Sequence, residues 1–142
     1  MQDPPLVGAR VLAQGDTYVV QGAGRVAWAK ISVPRGLDPA RGAAAGEELG
    51  NFLVDQVLMP HSPWLGLVLD VRAGPTIIGP KSLRVMESLF DRAESVRRRL
   101  AILVGAAPIL NQELLNLARS RAPIHALVTE AAPRALDWVR IS

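Results

Sequence analysis

The chain of 142 residues contains no cysteine. Disulfides, Cys-ligated zinc and thiol catalysis are therefore excluded. Aromatic residues make up only 4% of the chain, lysine occurs only at positions 30 and 81, and there are two histidines, His61 and His125. Long apolar runs are missing too. The longest, residues 65–71 and 100–104, are far too short to span a bilayer. The opening "MQDPPLVGAR" has neither the basic nor the apolar region of a signal peptide. These absences predict a soluble, cytoplasmic protein with no membrane span.

Charge is nearly balanced, with 16 basic and 13 acidic residues and a net charge of +3. The tightest basic run is Arg97, Arg98 and Arg99, with no aromatic residue beside it. Nucleic-acid surfaces pair a wide basic face with stacking aromatics, so no nucleic-acid partner is expected. The run fits the solvated end of a helix, where cations suit the dipole.

What is present is a core. Hydrophobic residues make up 49% of the chain, enough for one packed domain. Residues 1–15 show little period and carry Pro4 and Pro5, which suggests a loose arm. Residues 16–21 and 25–33 form an expected antiparallel hairpin around the turn Gly22-Ala23-Gly24. Alternation in the second strand turns Ala27, Ala29, Ile31 and Val33 inward, and Trp28 onto a partly covered face. Asp38 before Pro39 is a helix start, a cap followed by proline at the first helical position. That helix should run to about Leu58, with Gly42, Gly46 and Gly50 spaced for close approach to the sheet or to a second subunit. Residues 65–71 form a near-continuous apolar strand, suited to the centre of a parallel sheet.

Residues 82–97 carry the clearest helical period, with Leu83, Met86, Leu89, Phe90, Ala93 and Val96 on one face and a Glu94–Arg98 pair outside. Strand 100–105, a helix from Pro108, strand 123–129 and a closing helix 130–139 complete the order β-β-α-β-α-β-α-β-α. This predicts an α/β fold, a mixed and mostly parallel sheet with an N-terminal antiparallel hairpin and flanking helices.

Catalytic signatures are sparse. His61 and His125 should both lie at the amino edge of the sheet. Asp70 lies about 20 Å away at the far end of its strand, at ~3.3 Å per residue. No Ser62–His61–Asp70 triad forms at that separation, and a metal pair lacks a further ligand. Neither glycine-rich stretch near the N-terminus ends in the Gly-Lys-Ser/Thr of a P-loop. The expectation is a non-enzyme with no cofactor and no metal.

The order of elements, with "LGLVLDVR", "GPKSLRVMESLFDRA", "RRRLAILVG" and the tail "EAAPRALDWV", resembles the STAS domain of sulfate transporters and anti-sigma factor antagonists. The resemblance covers about residues 16–140, which sets a STAS-like domain at 16–142 behind the arm 1–15. It implies a protein-interaction domain in bacterial regulation or scaffolding, with a kinase or anti-sigma-like ATPase as partner. Typical members carry Asp-Ser-Ser-Gly-Leu at the start of the helix after the central strand, where a partner kinase phosphorylates a serine or threonine. Aligned on Leu83, that pattern falls on Gly79, Pro80, Lys81 and Ser82 and keeps only the leucine. Ser82 and Thr76 remain as candidate phosphorylation positions.

Ligands of open α/β sheets sit beyond the carboxyl ends of the strands. Helices should begin there after Gly79, Ala107 and Thr129, offering N–H groups to an anion or an acidic loop. Asp70, Arg72, Thr76, Lys81, Ser82 and Asn111 are the candidates to line that edge. Trp64, Ile77 and Ile78 are candidate exposed apolar contacts, and the loop holding Ile77 and Ile78 has the alternative of tucking under the next helix. Two other readings stay open: Sec14-like binding of a small apolar or lipid ligand, and homo-oligomeric assembly through the glycine face or Trp28.

Overall fold

The computed structural model describes residues 6–141. Among these residues six strands form one sheet in chain order: β1 (Arg10–Gln14), β2 (Tyr18–Ala23), β3 (Val26–Ser32), β4 (Gly66–Ala73), β5 (Arg99–Leu103) and β6 (Ala126–Thr129). β1, β2 and β3 pair antiparallel, and β3 to β6 pair parallel. Four helices follow the parallel strands: α1 (Pro39–Phe52), α2 (Pro80–Val96), α3 (Pro108–Arg121) and α4 (Ala132–Arg140). The α/β class and the N-terminal hairpin are as the sequence predicts.

Every parallel crossover steps the same way across the sheet, so right-handed connections put α1, α2 and α3 on one face. There Leu49, Leu89, Phe90 and Leu114 bury Leu67, Leu69, Leu100 and Ile102. Among the described residues no strand follows α4, which folds over the other face. Its Ala135, Leu136 and Val139 cover Val26, Trp28, Val68 and Ala101. Trp28 is therefore wholly buried, not half-covered as the alternation suggests, and it is no subunit contact. Val33 lies beyond the end of β3 and is 47% exposed rather than inward-facing.

The N-terminal segment is less of an arm than its composition suggests. Residues 1–5 lie outside the described residues, but Leu6 is buried under the α4 face, and β1 pairs with β2. The register slips between Val11 and Ala13. A bulge on an exposed edge strand breaks the period-2 pattern, which is why β1 is hard to see in the sequence.

Asp38 caps α1, accepting from the Ala40 amide at 3.4 Å. α1 does not run on uniformly to Leu58. It widens into a π-turn at Leu53–Val57, which places Leu53, Val57 and Leu58 all in the core. Among the described residues no helix is long and apolar enough to cross a membrane.

Candidate interaction surface at the carboxyl edge

All four helices begin at the carboxyl edge of the parallel strands. Each opens with proline at the first or second position, yet only α1 has a side-chain cap. α2, α3 and α4 start behind Gly79, Ala107 and Ala131, with no carboxylate in the first turn. The first helical bonds are donated by Leu83, Asn111 and Ala135. Among the described residues, the amides before them, such as those of Lys81, Ser82, Ile109 and Leu110, point out of the helix ends without a carbonyl to meet. Three uncompensated dipole ends and the Lys81 ammonium make the edge favourable to negative charge.

The edge is also apolar. Ile77 is 79% exposed in the β4–α2 loop and Ile109 is 83% exposed at the start of α3, with Val33 nearby in sequence to the end of β3. In the sequence Ile109 is not singled out, and alternation assigns Val33 to the inward face. Ile109 had a signal: it falls off the Leu110, Leu114 and Ala118 stripe that α3 buries.

The expected site residues separate into two groups. Asp70 is buried, and strand alternation puts it on the α4 side with Val68. Its carboxylate accepts from the Arg72 amide at 3.1 Å and from the Arg72 guanidinium at 3.0 and 2.8 Å. That hydrogen bond, offset in part by desolvation, raises the Arg72 pKa. The pair finishes the strand and holds the following turn. Asn111 is similarly engaged, donating to the Gly105 carbonyl at 2.7 Å. Thr76, Ile77 and Lys81 are exposed on the other side, with Ser82 and Ile78 half-buried beneath them.

The loop does both things left open for it: Ile77 presents outward and Ile78 tucks in. Trp64 is not an exposed contact. It is 8% exposed, and its ring lies so close over Gly22 that an added Cβ would meet it at 2.4 Å.

Beneath this edge lies a partly open cavity of about 100 Å³ between α1, α2 and the sheet. Ile31, Leu69 and Val71 come from the strands, Leu49, Val85 and Met86 from the helices, and Pro75 and Ile78 from the β4–α2 loop.

The opposite, amino edge is sewn shut. Arg98 donates to the carbonyls of Pro60 and Ser62 at 2.7 and 3.4 Å, and Arg99 stacks on Trp138 at 4.0 Å. Glu94 accepts from the amides of Ile124 and His125 and lies 3.2 Å from His125 Nδ1. Burial works against the Glu94 carboxylate, but these bonds outweigh it and hold its pKa below the usual value. The expected Glu94–Arg98 pair is thus replaced by longer-range contacts, and two cations of the basic run are spent inside the fold. Both histidines sit at this edge, away from Asp70 as their strand positions require. Among the described residues no group of three His, Asp or Glu side chains could hold a metal ion. Compared with protein-family models, curated proteins and solved structures, the chain finds no match.

Proposed function

We propose that the chain is a non-enzymatic protein-interaction domain that binds an acidic segment of a partner protein at the carboxyl edge of its sheet. One observation carries the reading: α2 and α3, packed side by side, both present uncapped, carboxylate-free N-termini, with the exposed Ile77 in the loop before α2 and the exposed Ile109 in the first turn of α3. Such an edge attracts carboxylates through its amides and offers apolar area that water disfavours. The STAS resemblance adds the partner class, a kinase or anti-sigma-like ATPase in the cytoplasm of a bacterium. With a kinase, Thr76 is the accessible acceptor and Ser82 the half-buried one.

The test is affinity capture from the native lysate with ATP present, run on matched variants. Lys81→Glu and Ile109→Asp should each lower capture of the same protein at least tenfold. Ile124→Asp, at an exposed position before β6 on the amino edge, should leave it unchanged. Mass spectrometry of the bait reads phosphate on Thr76 or Ser82. Capture that ignores both carboxyl-edge variants, or recovery of a second copy of this chain alone, would overturn the proposal.

A further inference from the structure

The cavity beneath the carboxyl edge is independent of that reading, and its lining is one-sided in chemistry. Among the residues around it, Ser82 is the only one with a polar side chain. Water needs two or more polar partners to stay in a cavity, and apolar cavities stay dry. An occupant suited to this lining carries no charge and has at most one hydrogen-bonding group, facing Ser82.

Size narrows the class further. Cavities of about 150 Å³ lined by leucine, isoleucine and phenylalanine take up benzene or xenon, whereas drug-sized ligands occupy about 300–1,000 Å³. At about 100 Å³ the cavity holds a single small ring or a short branched alkyl group. An acyl chain of lipid length does not fit.

Gly46 shows why the cavity exists. Of the α1 glycines, Gly50 is demanded by packing, since a Cβ there would lie 2.5 Å from Val85 Cγ1. Gly46 is not: the nearest atom to a Cβ built there is Ser82 Oγ, at 3.9 Å. A glycine in mid-helix costs stability relative to alanine, and here its steric effect is to leave the cavity unfilled. Met86 on the facing helix is a flexible, polarizable wall that can adapt to a guest. The β4–α2 loop contributes Pro75 and Ile78 to the wall.

We infer that this cavity is a binding site for a small, uncharged, apolar molecule of benzene size or less. Benzene titration followed by methyl NMR tests it. Saturable shifts should be confined to methyls lining the cavity, those of Leu49, Ile78 and Leu114 foremost. Gly46→Leu, which fills the space, should weaken benzene binding at least tenfold while the melting temperature holds or rises. If Gly46→Leu does not fold, Gly46→Ala meets no close atom and should weaken binding a few-fold. Decanoate should not displace benzene, and Lys81→Glu should leave benzene binding intact, which separates this site from the partner surface. The inference falls if the wild type shows no saturable shift, if the filled variant binds as well, or if decanoate competes.

Discussion

Tyr18 shows how much a single side chain is constrained by its neighbours. It is the only tyrosine in the chain and is buried at the start of β2. Its hydroxyl donates to the Glu48 carboxylate on α1, joining the hairpin to the first helix. Burial, then the hydrogen bond to Glu48 and its negative charge, pushes the phenol pKa up to about 12. A phenol whose pKa is higher folded than unfolded stabilises the fold fully below its unfolded value of about 10. That contribution is lost as pH rises from there through the folded value. Tyrosinate absorbance should therefore titrate near 12 in the native protein. Stability from denaturant curves should fall across the same window, and Tyr18→Phe should flatten that fall. A midpoint near 10 in the native protein would refute it.

At the scale of elements, three glycines in one helix have different roles, and only coordinates separate them. In sequence Gly42, Gly46 and Gly50 look like one stripe at helical spacing. In the fold only Gly50 sits hard against α2, through Val85. Gly50→Ala should lower stability by about 1–2 kcal/mol, because a methyl forced into a packed contact outweighs the helix gain. Gly46→Ala should raise it by about 0.5–1 kcal/mol, the ordinary gain of alanine over glycine in a helix. Urea unfolding of the two variants decides it, and equal signs would refute the assignment.

The same contrast explains what was legible beforehand. α2 was visible because Met86, Leu89, Phe90 and Ala93 repeat at helical spacing, and β4 because an apolar run is what a doubly covered strand requires. β1 was hidden by its bulge. Alternation puts Trp28 on a partly covered face because nothing in β3 itself tells that α4 will close over that face. Gly66 in β4 marks that closure only in hindsight: a Cβ there would meet the Val139 carbonyl oxygen at 2.7 Å. Of the candidate site, the helix starts and the exposed Ile77 were readable. The commitment of Asp70 to Arg72 and the cavity were not, since both depend on which sheet face a residue occupies after the turn.

The whole molecule has two unlike ends. At the amino edge, long-range bonds from Arg98, Glu94 and Trp138 fasten the loops before β4 and β6, and the Leu65 amide donates to the Arg25 carbonyl. At the carboxyl edge, by contrast, no amide of residues 76–79 donates a hydrogen bond among the described residues, and those of Lys81 and Ser82 precede the first helical bond of α2. Local opening follows such differences in bonding and packing. Amide hydrogen exchange should therefore be fast for residues 76–79 and for Lys81 and Ser82 in the first turn of α2, and at least tenfold slower for Leu65, Ile124 and His125, although these three lie in connecting segments. The contrast is largest if the fold itself is stable, so exchange is read well below the unfolding transition. A partner seated on the carboxyl edge should slow residues 76–82 and leave the amino-edge amides unchanged. Uniform fast exchange in all connecting segments would mean that the amino-edge bonds do not hold in solution, and the division of the molecule into a fastened end and a receptive end would be wrong.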